Sequence, residues 1–169
     1  MSMYLKYLLY VLRHKWFVFI ECCRLGIPFR GIMHDLSKFR WREFRGYAVN
    51  FFTSKEWKGE LNFKLFVEYR LGELIPWGLT PQEQFKLAWL HHQRRNPHHW
   101  EYWVYRKSDK IEFPVPIPKK YLQEMLADWR AMSRNFGNDP AVWYTENRDK
   151  MLIQAGSREW LEEQLGVTP

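Results

Sequence analysis

Cysteine is scarce in this chain: two occur, side by side at Cys22 and Cys23. Neighbouring cysteines rarely close a structural disulfide, and the absence of a CxxC spacing argues against a thiolate zinc site. A reducing, cytoplasmic setting is therefore expected. Long uncharged apolar runs are lacking too. The most apolar stretch, Tyr4 to Ile27, is interrupted by Lys6, Arg13, His14, Lys15, Glu21 and Arg24. It falls short of the ~20 apolar residues that span a bilayer, and no small-residue cleavage site of a secretory signal comes after it. No membrane partner is expected. Neither an internal repeat nor a convincing alternating strand pattern is present.

Large apolar side chains, by contrast, abound. Hydrophobic residues make up 46% and aromatics 18%, with 10 Trp, which is too rich for a disordered chain. At 169 residues the expectation is one domain, 1–169, with a substantial core. The formal charge of +7 points to an anionic partner: a nucleotide, a nucleic acid or another phosphorylated molecule. Many small basic proteins bind no such partner, so charge alone decides nothing. The excess of Trp and Tyr leaves room for an oligomeric interface.

Periodicity predicts an all-α chain. The first helix is expected from Met3 to Arg24, with Tyr7, Tyr10, Val11, His14, Phe17 and Val18 on one stripe. Gly26 and Pro28 end it. A second helical segment comes next, with Ile32, Met33, Leu36 and Phe39 as its apolar residues, and Trp41–Phe52 reads as helical again. A short helix is expected near Leu61–Tyr69, then a loop around Gly72, Pro76 and Gly78. Thr80, Pro81 and Glu83 form a capping-box start for a helix to Gln93. Asn96-Pro97 predicts a short helix to Tyr102, and the prolines of Lys107–Pro118 predict an extended connector or lid. Helices are expected at Lys119–Asn135, with Tyr121, Leu122, Met125, Trp129 and Met132 inward, at Pro140–Leu152 and at Ser157–Leu165.

The six histidines are His14, then His34 beside Asp35, then His91-His92 with His98-His99. Imidazole and carboxylate together are ligands of borderline transition metals, so this pattern points to a metal centre. His14 lies on the apolar stripe, where a buried imidazole needs a partner; a core histidine bonded to a backbone carbonyl is the alternative. His34 and Asp35 offer adjacent ligands at a helix start. Lys38, three to four residues on, has the charge to hold a phosphate, or is a solvated lysine. Asp128 falls near the buried face of its helix, between Met125 and Met132, where a carboxylate needs a cation or an arginine.

In this order and on helices, these residues resemble the HD superfamily of metal-dependent phosphohydrolases, within a small family of bacterial and phage HD-like proteins. Four segments carry the likeness: Arg13-His14-Lys15-Trp16; Met33-His34-Asp35-Leu36-Ser37-Lys38-Phe39; His91-His92 through Asn96-Pro97-His98-His99-Trp100-Glu101-Tyr102-Trp103; and Glu124-Met125-Leu126-Ala127-Asp128-Trp129. The resemblance implies a helical bundle of about six to eight helices. It implies one metal held by His14, His34, Asp35 and Asp128. Members with two metals add histidines from the stretch between the doublet and the final Asp. Of these, His92 shares a stripe with Phe85, Ala88 and Trp89, and His99 lines up with Trp100 and Trp103, so these two are favoured. Their close spacing departs from the binuclear pattern, leaving contact with substrate phosphate or a general-acid role open for this region.

The activity so implied is that of a phosphohydrolase with one or two divalent ions (Mn, Fe, Co, Ni or Zn) that activate water against a nucleotide or other phosphoester. Asp35, Lys38 and His92 are the expected catalytic groups, and Arg13, Lys38, Arg94 and His98 the expected contacts to substrate. Arg94 and Arg95 are explained equally well as solvated surface. Two alternatives come from other classes. A nucleic-acid or nucleotide-binding module would use Arg40-Trp41-Arg42, Lys55-Glu56-Trp57-Lys58 and Trp103-Val104-Tyr105-Arg106-Lys107 for stacking. A di-iron oxygenase would need all six ligands intact.

Overall fold

A computed structural model describes residues 1–52, 79–107 and 112–168. The helix expected at Leu61–Tyr69, the loop around Gly72, Pro76 and Gly78, and the basic stretch Lys55–Lys58 lie outside the described residues. Among those described, the chain is predominantly all-α: seven α-helices and one two-stranded sheet. They are α1 (Met3–Arg24), α2 (Pro28–Met33), α3 (Trp41–Phe52), α4 (Pro81–Arg95), α5 (Lys119–Phe136), α6 (Pro140–Asn147) and α7 (Ala155–Leu165). No described helix is long and apolar enough to cross a membrane.

The chain divides into two compact units, one of Met1–Leu12 with Asp35–Arg95, the other of Arg13–His34 with Asn96–Pro169. In the first, Tyr7 and Val11 of α1 pack with Tyr47 and Ala48 of α3 and Ala88 of α4. The helices α3 and α4 approach closely at Gly46, where a Cβ would come 2.8 Å from the Ala88 Cβ and 3.1 Å from the Gln84 carbonyl oxygen. Helix α4 starts as the sequence predicts. The Thr80 N–H and hydroxyl donate to Glu83 Oε2 at 2.7 and 2.8 Å, and the Glu83 N–H returns a bond to Thr80 Oγ1.

The second unit is built on α5. Leu122, Met125 and Leu126 meet Ile117, Tyr144, Met151, Ile153 and Leu161 in one core. Ala127 and Ala131 meet Val18 and Cys22 of α1 in another. Glycines in the left-handed region, Gly26 at φ +73° and Gly137 at φ +70°, close α1 and α5.

Three expectations need correction. The segment after α1 is not one helix carrying the doublet: α2 stops at Met33, and a 3₁₀ turn occupies Leu36–Phe39. Its apolar residues Ile32, Met33, Leu36 and Phe39 are exposed; α2 packs at Gly31, whose missing side chain admits the Phe19 backbone. The sheet is not expected from the sequence. Val104–Arg106 and Glu112–Pro114 pair antiparallel, in strands of three residues that are too short to show alternation. Asn96-Pro97 opens a turn rather than a helix, and only Trp100–Trp103 winds into a 3₁₀ turn.

Candidate metal centre

Four chain segments of the second unit bring imidazole and carboxylate groups together. Helix α1 supplies His14 from its buried stripe, and His34 follows directly on the end of α2. The turn after Asn96 supplies His98, while α5 supplies Glu124 and Asp128 one helical turn apart, on the same face. His14, His34 and His98 are at most 2% exposed. One ligand atom each of His34, His98 and Asp128 lies within 4.8 Å of the others. Metal bonds of about 2.1 Å place ligand atoms roughly 3 to 4 Å apart, so small side-chain shifts would close this group on an ion. His14 Nε2 lies 3.0 Å from Asp128 Oδ1, and His34 Nε2 lies 3.6 Å from the same oxygen.

The buried cluster could therefore hold a metal, and its donors suit a divalent transition ion. Burial alone would raise the Asp128 carboxyl, but hydrogen bonding and charge from His14 and His34 hold it well below the usual carboxylate range. Glu124 behaves alike: burial pushes it up, and His34 and His98 bring it far down. Its Oε1 is 3.1 Å from His34 Nδ1 and 3.4 Å from His98 Nδ1, while Arg30 Nε donates to Oε2 at 2.6 Å. Lys15 caps the end of α2 by donating to the His34 carbonyl at 2.7 Å.

The first unit gathers the other expected residues. Asp35 begins it with φ +54°, the left-handed backbone that aspartate tolerates better than most side chains. Asp35 Oδ2 pairs with Lys38 Nζ at 2.5 Å, and Oδ1 lies 3.2 Å from His92 Nε2. Lys38 thus spends its charge on Asp35 and lies 5.7 Å from the Tyr47 ring centroid. The other His92 nitrogen, Nδ1, is 3.0 Å from Glu43 Oε2, which also accepts from the Ser37 hydroxyl at 2.8 Å. His91 Nδ1 bonds Glu43 Oε1. Burial disfavours a charged His92, yet the Asp35 and Glu43 carboxylates outweigh it and raise its pKa. The same bonds from His92, Ser37 and His91 overcome burial at Glu43 and lower that carboxyl.

Of the expected site residues, His14, His34 and Asp128 are brought together in one unit, and Asp35, Lys38 and His92 in the other. His98, expected at the substrate, is placed with His34 and Asp128. His99 is half-buried, its ring 4.3 Å from that of His98. Arg13 and Arg94 are exposed, and Arg13 lies over the Phe17 ring. Glu43, Glu124 and Arg30 are functional candidates that the sequence reading misses. A signal for Glu124 is present, because it precedes Asp128 by four and adjoins Met125 on the inward face of α5. Glu43 likewise precedes Gly46 and Tyr47 by three and four on α3.

The chain belongs to a family of unknown function, DUF5662, whose model matches residues 3–167. None of the curated proteins and none of the solved structures matches it.

Proposed function

We propose that this member of DUF5662 is a metal-dependent phosphohydrolase acting on a nucleotide or another phosphoester. The observation that carries the reading is the group of buried His34 and His98 with half-buried Asp128, and His14 3.0 Å from Asp128. A structural core seldom gathers imidazoles on a carboxylate out of water, because desolvating that carboxylate is costly without a cation. His14, His34, His98 and Asp128 would hold a divalent ion. When bound, such an ion supplies a nucleophile from water near neutral pH and polarises a phosphoryl oxygen.

The chain's own residues do the rest. Asp128, low in pKa, stays ionised across the neutral range and offers a fixed negative partner to whatever cation is bound. His92, flanked by the Asp35 and Glu43 carboxylates, is set up to hold and release a proton, a general-acid role. Lys38 holds Asp35 in place. The +7 charge favours approach of an anionic substrate.

The test is metal content by inductively coupled plasma mass spectrometry, on protein purified without chelator or affinity-tag histidines. We expect one or two transition ions per chain, lost in Asp128→Ala and in His34→Ala with the helical circular dichroism retained. A phosphoester panel on the loaded protein then names the substrate. Wild type that takes up no manganese, iron, cobalt, nickel or zinc on reconstitution overturns the proposal.

A further inference from the structure

We infer that Glu124 is a positioning residue that holds a proton on Nδ1 of both His34 and His98, leaving Nε2 of each ring as the metal-ligand atom. The inference rests on the metal reading above and deepens it. Oε1 of Glu124 faces the Nδ1 atoms of both rings, at 3.1 and 3.4 Å. A carboxylate has no hydrogen to give, so each Nδ1 must carry the proton that bridges the gap. In a neutral imidazole the lone pair then sits on Nε2. His34 Nε2 looks at Asp128 Oδ1 at 3.6 Å. A lone pair facing a carboxylate oxygen is favourable only with a cation between them, a proton in the metal-free chain or a metal ion in the loaded one.

Glu124 is itself pinned. Arg30 Nε donates to Oε2 at 2.6 Å, and the Arg30 guanidinium lies 4.2 Å from the Tyr121 ring centroid. With one oxygen taken by a donor that cannot lose its proton, Oε1 is left for the two rings. One carboxylate therefore sets two ligands at once, from segments 64 residues apart in the chain. This is the outer-shell device by which metal-ligating histidines are oriented and made more basic.

Glu124→Gln reverses the arrangement. Its amide keeps a single acceptor oxygen, which Arg30 claims, so the NH₂ faces the rings and each Nδ1 must become the acceptor. The experiment is ¹⁵N spectroscopy of the histidine rings in the metal-free full chain at pH 8, paired with calorimetric titration of Zn²⁺. The expected result is Nδ1–H on His34 and His98 in wild type and Nε2–H in Glu124→Gln. Zn²⁺ binding should weaken about 10–100-fold in the variant while the helical signal is kept. An Nδ1 without its proton on either ring in wild type overturns the inference, even if the variant fails to fold. So does unchanged Zn²⁺ affinity in a folded Glu124→Gln. If the tautomers behave as stated and wild type binds no Zn²⁺, the positioning role stands and the hydrolase reading fails.

Discussion

Cys22 and Cys23 are neighbours in sequence with opposite fates. Cys22 is buried on the α1 face that packs on Ala127 and Ala131, and Cys23 is exposed. Burial lifts the Cys22 thiol from 9.0 to about 12; the His34 charge works against this, and Glu124, Cys23 and Asp128 add to the rise. A raised pKa means that the folded state keeps its proton where the unfolded chain has lost it. Stability from this group is therefore complete below pH 9.0 and is lost as pH climbs toward about 12. The limiting slope is about 1.4 kcal/mol per pH unit. Urea melts of wild type and Cys22→Ala should show a gap that narrows steadily above pH 9.0. A gap constant to pH 11 would mean that the thiol is not desolvated as the packing indicates. Alkylation at pH 8 should meanwhile mark Cys23 alone.

At the scale of elements, legibility tracks periodicity. The stripe of α1 and the inward face of α5 are readable because each spans several turns and carries its own stop signal, Gly26 or Gly137. The doublet segment misleads because Ile32, Met33, Leu36 and Phe39 mimic a helical face yet are exposed, and a left-handed Asp35 breaks the helix there. Composition cannot announce a positive φ on aspartate. The strands at Val104–Arg106 and Glu112–Pro114 are held by pairing across a connection, which a local pattern does not encode. At the site, His14, His34 and Asp128 are legible from burial logic, whereas the choice of His98 depends on where a turn points. Gly46 carries no sequence signal of its own, although it governs how α3 meets α4. Alanine there gains about 1 kcal/mol of helix propensity. Its Cβ would sit 2.8 Å from Ala88 Cβ, with the Gln84 carbonyl oxygen behind it at 3.1 Å, and neither can swing aside. Overpacking of that kind costs about 1–3 kcal/mol, so Gly46→Ala should lower the melting temperature. A variant as stable as wild type would show that α4 shifts freely.

For the molecule as a whole, the decisive quantity is how much a bound ion adds to stability. Three buried histidines gathered with Asp128 form a group that could hold an ion in the folded chain and that the unfolded chain lacks. Linkage then requires metal to raise the unfolding free energy by about 2.7 kcal/mol at one hundred times the dissociation constant. For a chain of this size each kcal/mol moves the midpoint by about 2–4 °C, so saturation should raise it by roughly 5–11 °C. Chelator should reverse the gain. Asp128→Ala loses the shared carboxylate but also relieves buried imidazoles of an anionic partner, so its metal-free midpoint alone is not diagnostic. The informative measure is the difference between metal-loaded and metal-free melts of each protein by differential scanning fluorimetry. It should be large in wild type, close to zero in Asp128→Ala and His34→Ala, and intact in Cys23→Ala, which changes an exposed side chain. Equal shifts in all four proteins would assign the stabilisation to metal bound elsewhere, and the imidazole–carboxylate group would then be a buried polar network of the core.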